Sequence, residues 1–525
     1  MNIDINEQFG RALHLMEDTS QCLFITGKAG TGKSTLLSHF CASTRKKPVV
    51  LAPTGVAALN VKGQTIHNFF NFYVDVTPQK IRDKTIKPRG DKTRLYKNLK
   101  CIIIDEVSMV RADLLDCIDI FLRMHGPVLD TPFGGVQMIF VGDLYQLPPV
   151  VTGQERQIFS THYATPFFFS AHAMQDFPLE IVELEKVYRQ KDQDFIDLLN
   201  RIRNNSIEEA DITRLNSRLG SGSPAGAQNP DGGFYISLTT TNKKADEINE
   251  ENLHKLKGRL HVAQAQIAGD FGKEYFPTAT ELQFRLGAQI MLLNNDTKKR
   301  WVNGSIGVIE DYKTDESGER YVSVRLKDGD DEAVWVYPYT WEVYRFTLAG
   351  GAIVSEPVGS FTQYPFRLAW AITIHKSQGK TFDHVLIDIG GGTFVAGQMY
   401  VALSRCTSFE GIVLKTPVRK QHIRTDHRIF SFLTGYHYRK AEQELPLDSK
   451  VLLIQQAIRD QSVLNMTYLK ANDTRTERPI IPREVGPQTW RDVKFMGMTA
   501  YCLQRQENRT FRVDRILKLE KAEAP

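Results

Sequence analysis

Cys22-Leu23-Phe24-Ile25-Thr26-Gly27-Lys28-Ala29-Gly30-Thr31-Gly32-Lys33-Ser34-Thr35-Leu36-Leu37-Ser38-His39-Phe40 is the stretch on which the reading of this chain turns. Its first five residues form an apolar run of strand length, and its last six can continue as a helix. Between them Gly27 to Ser34 fits G-x-x-x-x-G-K-[ST], and the strand–loop–helix context is what that motif needs in order to mean anything. Glycines let the loop curl so that successive N–H groups point inward at phosphate oxygens, and the following helix adds the positive end of its dipole. Lys33 is placed to reach the β- and γ-phosphates, and the Ser34 hydroxyl to ligate Mg²⁺. The stretch marks a nucleoside-triphosphate site; what the nucleotide drives has to come from the rest of the chain.

A chain of 525 residues exceeds one core and predicts three or four domains. Apolar and charged fractions of 42% and 24% are those of an ordinary globular protein, and a net charge of +5 permits a nucleic-acid partner without arguing for one. Six scattered cysteines show no C-x-x-C pair, so neither a zinc site nor a disulfide framework is indicated. Met1-Asn2-Ile3-Asp4 begins no secretory leader, and no apolar run reaches membrane-spanning length, so a cytoplasmic protein with no membrane partner is expected.

Outward from the P-loop, residues 5–20 carry Phe9, Leu13 and Met16 at helical spacing. Gln8 on that segment has an amide able to read an adenine edge, although most surface glutamines do nothing of the kind. A strand over 48–52 leads into Pro53-Thr54-Gly55-Val56-Ala57-Ala58, and Gly63 to Phe70 adds His67 and aromatics; a ligand-facing turn and a tight turn over a core cluster both fit. Residues 79–100 are basic (Lys80, Arg82, Lys84, Lys87, Arg89, Lys92, Arg94, Lys97, Lys100) and read equally as a solvated insertion or a phosphate-contacting segment. Cys101-Ile102-Ile103-Ile104 is an apolar strand tipped by Asp105, suited to hold Mg²⁺, and by Glu106, suited to activate the water that attacks the γ-phosphate. A further strand, 137–141, ends near Asp143, and Gln146 follows on a proline-stiffened loop where its amide can sense the γ-phosphate.

Strands alternating with helices through residue 180 predict a parallel α/β sheet with ligands at its carboxyl edge. Strands at 234–238 and 384–388 predict a second α/β unit, and short strands with Asn-Asp, Asn-Gly and Asp-Gly turns over 281–345 predict a small inserted β-barrel. The glycine-rich 220–233 reads as a flexible loop, and Glu442–Lys450 as a boundary before a basic tail.

These motifs together resemble superfamily-one helicases, and more narrowly the petite-integration-frequency family of superfamily 1B 5′-to-3′ DNA helicases. The stretch Pro132-Phe133-Gly134-Gly135-Val136-Gln137 through Gly142-Asp143-Leu144-Tyr145-Gln146-Leu147-Pro148-Pro149-Val150 is similar to that family's signature. Asp105-Glu106-Val107-Ser108-Met109, Leu184 to Arg189, Ile374-His375-Lys376-Ser377-Gln378-Gly379-Lys380-Thr381 and Tyr400-Val401-Ala402-Leu403-Ser404-Arg405 follow in the family's order, to about residue 440. The resemblance implies two RecA-like domains, 1–180 (with a small insertion about 60–100) and 181–280 with 346–441, an SH3-like barrel over 281–345 and a separate domain over 450–525. It implies ATP and Mg²⁺ as cofactors. It sets Gln8, Gly27, Ala29, Gly30, Thr31, Gly32, Lys33, Ser34, Thr35 and Gly379 at the nucleotide, with Ser34 and Asp105 at the metal. Lys33, Asp105, Glu106 and Gln146 become catalytic from the first lobe, and Arg189 and Arg405 from the second as arginine fingers. Thr54, Gly55, His67, Thr240, Asn242, His375, Lys376 and Ser377 become contacts to single-stranded DNA.

The implied activity is ATP-dependent 5′-to-3′ translocation and unwinding by a monomer in the bacterial cytosol, near the nucleoid. Tailed or forked duplexes, G-quadruplexes and RNA–DNA hybrids are the candidate substrates, with repair, recombination and telomere maintenance as family associations. An ATP-gated DNA-binding switch without unwinding, and a recombination-complex subunit active only with partners, stand as alternatives. The tail, Leu452 to Glu520, is similar to WYL domains at Ala457-Ile458, Thr467-Tyr468, Arg478-Pro479, Phe495-Met496-Gly497, Ala500-Tyr501 and Arg509 to Ile516, although the Trp-Tyr-Leu tripeptide is missing. Arg505, Arg509, Arg512 and Arg515 there are either donors to an anionic ligand or a solvated basic face.

Overall fold

Strands that are apolar along their whole length must be covered on both faces, and that demand selects a parallel sheet flanked by helices. The computed structural model shows this arrangement; it describes the chain except residues 1–4, 74–75, 85–87, 89–91, 152, 221–234, 328–332, 350–351 and 523–525. The loop expected at 220–233, Lys87, Arg89, Phe234 and the Asp328-Gly329 turn fall almost wholly outside the described residues. The first sheet is built from β1 (Cys22–Gly27), β2 (Val49–Ala52), β3 (Gln64–Thr65), β4 (Cys101–Ile104), β5 (Gln137–Val141) and β6 (Leu179–Leu184). They lie in the order β3-β2-β4-β5-β1-β6, every pair parallel, and β2, β4 and β5 are buried at every position. Helix α1 (Glu7–Asp18) is capped by the Asn6 side chain, which accepts from Phe9 N, and it lays Phe9, Ala12 and Met16 against β1. Leu36, Leu37 and Phe40 of α2 (Lys33–Ser43) fill the same cluster, so the helix that carries the P-loop lysine is held to the sheet by its own core face.

The helices α3 (Gly55–Asn60), α4 (Ile66–Phe70), α5 (Pro78–Arg82) and α6 (Lys92–Lys97) decide the ambiguous basic segment. Tyr96 is fully buried, edge-on to Phe69 and Phe121, and its hydroxyl donates to Phe69 O at 2.7 Å. Lys92 turns inward and donates to Phe69 O and Asn71 Oδ1 at 3.0 and 2.9 Å. Burial pulls its pKa down to about 8. The segment is anchored to the first lobe, and Lys80, Arg82, Lys84, Arg94, Lys97 and Lys100 stay exposed around that anchor.

The second parallel sheet begins with β7 (Ile236–Thr239) and is interrupted by ten strands. These are β8 (His261–Gln264), β9 (Gln266–Gly269), β10 (Glu281–Phe284), β11 (Gln289–Leu292), β12 (Ile306–Thr314), β13 (Arg320–Leu326), β14 (Val334–Val336), β15 (Tyr339–Ala349), β16 (Ala352–Gln363) and β17 (Phe366–Leu368). The sheet resumes with β18 (Ala371–Thr373), β19 (Val385–Asp388) and β20 (Ile412–Leu414), in the parallel order β18-β7-β19-β20. Within the insertion, β14-β13-β12-β11-β17 is a linear antiparallel sheet over a core of Phe284, Ile290, Ile309, Val322, Val324 and Trp370, and the long β15–β16 hairpin pairs with β9. The β-rich segment runs from His261 to Leu368, wider than the expected 281–345, because β9 and β17 find partners far away in sequence. The expected division at 180/181 also cuts β6, all six residues of which pair with β1.

The insertion docks on the first lobe where Gly55 opens α3. A Cβ at Gly55 would stand 2.1 Å from Glu274 O and 2.9 Å from Tyr275 Cα. Beside it the buried Tyr275 hydroxyl meets Thr65 N at 3.3 Å and Thr65 Oγ1 at 3.0 Å.

A second compact unit gathers 201–206 with 425–525. In it two helices, Glu444-terminated His427–Glu444 and Leu447–Asp460, accompany β21 (Leu464–Leu469), β22 (Arg475–Trp490), β23 (Val493–Cys502), β24 (Glu507–Arg512) and β25 (Ile516–Lys521). The antiparallel order is β24-β23-β22-β21-β25, around Ile454, Leu464, Met466, Ile480, Met498 and Phe511. The compact unit begins at Thr425, ahead of the expected boundary at 442–450, since the first of those helices is fastened to the tail by Tyr438 OH donating to Leu469 O at 3.0 Å. Gly55→Ala is expected to lower stability by about 1–3 kcal/mol, because the obstacle is backbone that cannot swing aside; denaturant unfolding with unchanged slope measures it.

Candidate nucleotide cleft and strand-binding edge

The P-loop leaves β1 between its neighbours β5 and β6, so everything at the carboxyl ends of these strands converges on it. A cleft of about 640 Å³ opens there, a size suited to a nucleotide. Ala29 to Thr35, Glu106, Gln146, Arg189, Gly379 and Arg405 line it together, as expected, and Phe9, Tyr188 and Thr381 line it as well. Gly27 shapes the loop from beneath: its carbonyl and that of Lys28 accept from Lys33 Nζ at 2.7 and 3.0 Å. Gln8 stands beside the cleft lining, half-buried, with its amide donating to Glu185 Oε2 at 3.3 Å, while its neighbour Phe9 is the residue of α1 that lines the space.

Asp105 and Glu106 follow β4 directly. Asp105 Oδ1 accepts Glu106 N at 2.9 Å, and Glu106 adopts a left-handed backbone, φ 51° and ψ 42°, that turns its side chain toward the P-loop. Burial first, and the adjacent Asp105 second, push the Glu106 carboxyl up to about 7, against the pull of Lys33 and Arg405. Burial likewise raises Asp105. Gln146 is buried and its amide donates to Asp143 Oδ2 at 3.3 Å.

The two arginines arrive by different routes. Arg405 comes from the second lobe at the end of the helix Gln398–Ser404; its Nε donates to Val401 O at 3.1 Å and the guanidinium is 1% exposed. Arg189 was expected from the second lobe too, but it sits on the segment leaving β6, where Tyr188 N donates to Gly30 O at 2.9 Å. A Cβ on Gly30 would lie 2.5 Å from Arg189 Cβ, so only glycine allows this approach, and the loop's φ of +83° suits it. Arg189 then reaches across to Ser404 O at 3.1 Å. Burial lowers the pKa of both arginines, and the nearness of Arg189 helps bring Arg405 down to about 9.

Tyr400 is a site residue that motif reading passed over. Its buried hydroxyl accepts Ala29 N at 3.0 Å and donates to Asp143 Oδ2 at 3.4 Å, joining the second lobe to the P-loop and to the acid that holds Gln146. Its place in the run Tyr400 to Arg405 was the available signal: Tyr400 lies on the short helix Gln398–Ser404 whose C-cap is Arg405.

The residues expected to touch DNA fall at the carboxyl ends of two pairs of neighbouring strands. Ala52 of β2 is in register with Thr65 of β3, so Thr54 and His67 lie two residues beyond adjacent strand ends. Thr239 of β7 is in register with Thr373 of β18, which sets Thr240 and Asn242 beside His375 and Lys376. Thr54, Asn242, His375 and Lys376 are exposed, and His67 and Thr240 are half-buried. Two of the expected residues are covered. Gly55 is covered by the Glu274–Tyr275 backbone, and Ser377 is fully buried with its hydroxyl donating to Ile374 O at 2.7 Å. In this structure both residues are packed.

A P-loop, an acid-tipped strand beside it and guanidinium groups gathered between two parallel sheets define a two-lobed RecA-like fold around a nucleoside-triphosphate cleft. Residues 6–213 match the PIF1-like helicase family, and residues 449–521 match the WYL domain. The chain is 31% identical over 405 residues to the ATP-dependent DNA helicase Pif1 of Campylobacter jejuni, covering 74% of this chain and 87% of that one. It is 33% identical over 419 residues to the ATP-dependent DNA helicase PIF1 of Homo sapiens, covering 78% of this chain and 61% of the human protein. Among solved structures, Bacteroides Pif1 in complex with ADP-AlF4 superposes with a TM-score of 0.75 at 37% identity, over 83% of this chain and 97% of that one. Bacteroides Pif1 bound to single-stranded DNA gives 0.59 at 36% identity, over the same 83% and 97%. The chain belongs to the PIF1-like helicase family. It spans about three fifths of the length of the human relative.

Tyr400→Phe is expected to leave Ala29 N–H without its acceptor and to cost about 1–3 kcal/mol. The midpoint of thermal or denaturant unfolding reads that loss, and an unchanged midpoint would show that the hydroxyl does not tie the lobes.

Proposed function

We propose that the chain is an ATP-dependent DNA helicase that moves 5′-to-3′ along single-stranded DNA and opens the duplex ahead of it. The carrying observation is that one cleft is closed by groups from both lobes, while each lobe also presents a carboxyl edge with exposed strand-binding candidates. Arg189 and Arg405 are like charges brought close, and a triphosphate between them relieves that repulsion, so nucleotide draws the lobes together. Loss of the γ-phosphate restores the repulsion and parts them. With Thr54 and His67 gripping from one lobe and Thr240, Asn242, His375 and Lys376 from the other, alternating grip advances the protein along a backbone with little regard for sequence.

Ser34 and Asp105 offer a hydroxyl and a carboxylate, hard oxygen donors few enough to suit Mg²⁺, which keeps several waters of its own. When bound there, Mg²⁺ neutralises charge on the β- and γ-phosphates. Lys33, now closed on the carbonyls of Gly27 and Lys28, exchanges them for phosphate oxygens, Glu106 accepts the proton of the attacking water, and Gln146 senses the γ-phosphate. Gln8 contacts the adenine edge.

The relatives support this reading. The human and Campylobacter proteins are ATP-dependent DNA helicases, the Bacteroides relative has been solved bound to single-stranded DNA, and a further Pif1 structure concerns unwinding at forked duplex DNA by two coordinating helicases. For this chain the proposed substrates are a 5′-tailed or forked duplex, a G-quadruplex or an RNA–DNA hybrid, engaged by a monomer in the bacterial cytosol. The inserted β-segment acts as the SH3-like module closing over the strand. In the tail, Arg512 pairs with Asp514 at 2.6 Å and Arg509 with Glu507 at 3.3 Å, so Arg505 and Arg515 are the stronger anion donors of the four arginines.

Displacement from a fork with a 5′ single-stranded tail, and none from a 3′ tail, is the expected result of an unwinding assay; binding without displacement in either polarity would favour the ATP-gated switch. Glu106→Gln should abolish ATP turnover and leave ATP and DNA binding intact, and Arg405→Ala should lower kcat by about 10³-fold or more. Full hydrolysis by the Glu106 variant would remove that residue from its role.

A further inference from the structure

The segment joining β18 to β19 does more than present His375 and Lys376. Residues 374–379 form a tight turn in which Ser377 N donates to Thr373 O at 3.0 Å, Gln378 N to His375 O at 3.2 Å and Lys380 N to Ser377 O at 3.0 Å. The buried Ser377 hydroxyl closes the turn internally on Ile374 O. On its outer side the turn exposes His375 and Lys376. On its inner side the Gln378 amide donates to Glu106 Oε2 at 3.0 Å, a contact between residues 272 positions apart and on opposite lobes. The turn's far end is held as well: Lys380 Nζ donates to Asn303 Oδ1 of the inserted segment at 2.6 Å, and Lys380 O lies 3.4 Å from Arg405 Nη1.

We propose that Gln378 is a positioning residue for hydrolysis: its amide orients the Glu106 carboxylate toward the attacking water, and the rigid turn that carries it makes that orientation depend on how His375 and Lys376 are engaged by a strand. A carboxylate has two oxygens, and a donor fixed on Oε2 leaves Oε1 as the free acceptor in one defined direction. A glutamine amide suits the task because it donates without charge, so it steers the base without neutralising it. Because the turn is closed by its own hydrogen bonds, a displacement at Lys376 moves Gln378 with it. Engagement of the DNA edge thereby reaches the base through two residues of chain, with no need for the nucleotide to move first. This inference rests on the helicase reading for the identity of the strand, and on the geometry alone for the effect of Gln378 on Glu106.

The test compares the full-length chain with Gln378→Met, which keeps length and removes the donor, and Gln378→Glu, which removes the donor and adds a like charge beside Glu106. ATP hydrolysis is measured with and without saturating oligo-dT, alongside KM for ATP and oligo-dT affinity by fluorescence anisotropy. The expected result is a kcat in the presence of oligo-dT lower by roughly ten- to a hundredfold for Gln378→Met, the loss that misplacing a catalytic group brings. Gln378→Glu should be lower again, with KM for ATP and DNA affinity within about twofold of the parent chain, the split expected when an interaction made only in the transition state is removed. A kcat that stays within twofold in both variants overturns the proposal, as does a fall matched by an equal loss of ATP or DNA binding, which would mark Gln378 as merely structural. A parent chain that hydrolyses ATP with no response to oligo-dT would instead sink the helicase reading and the coupling to the strand, and the variants' DNA-free kcat would still decide whether Gln378 orients Glu106.

Discussion

Arg189 and Arg405 repel one another inside a buried cleft, and the architecture is arranged to hold them there. Burial alone disfavours each charge, and proximity adds to the cost for Arg405. The structure offsets this with carbonyl acceptors: Val401 O and Lys380 O for Arg405, and Ser404 O for Arg189. Neutral acceptors keep both guanidinium groups charged and their full attraction for an anion unspent. A carboxylate partner in direct contact would have lowered that attraction. The cleft is thus primed for a highly charged ligand, and Ala29 to Thr35 of the P-loop line it together with both arginines.

That constraint explains why small contacts between lobes recur. Tyr400 touches Ala29 and Asp143, Gln190 donates to Ser404 O and Cys406 O, and Gln378 touches Glu106. Each is a neutral hydrogen bond of modest strength, about 0.5–1.5 kcal/mol net. Bonds of that size can be exchanged when a nucleotide arrives, whereas a continuous apolar interface could not part and reclose. The inserted segment is attached through Tyr275 at Thr65, Asn303 at Lys380 and Phe346 edge-on to Phe69, with a close backbone approach at Gly55.

Local motifs carried the nucleotide half of the site. The P-loop occupies eight consecutive residues whose strand and helix flanks are written beside it, and Asp105 and Glu106 end an unmistakable apolar strand. Every one of these groups lines the cleft or supports its wall. Gly55 and Ser377 are covered for a common reason. A small or polar residue inside a motif looks available to a ligand, yet what a Cβ meets or where a hydroxyl turns is set by neighbours: Glu274 in one case, the closure of a turn in the other. The β-rich insertion reaches from His261 to Leu368 and the second compact unit takes in residues from Thr425, because strand partners and helix docking are long-range choices.

The sequence by itself determined the chemistry: which residues cradle phosphate, which carboxylates stand at a strand tip, and in what order the family's motifs run. Those features are local, since a loop of glycines or an apolar strand needs only its immediate neighbours to exist. Only the tertiary structure decided how the chemistry is joined. It brought Arg189 to Gly30 on the way out of β6, Tyr400 onto the P-loop, and Gln378 onto Glu106 across 272 residues. Such meetings depend on the packing of two sheets around one cleft, and no spacing along the chain records them.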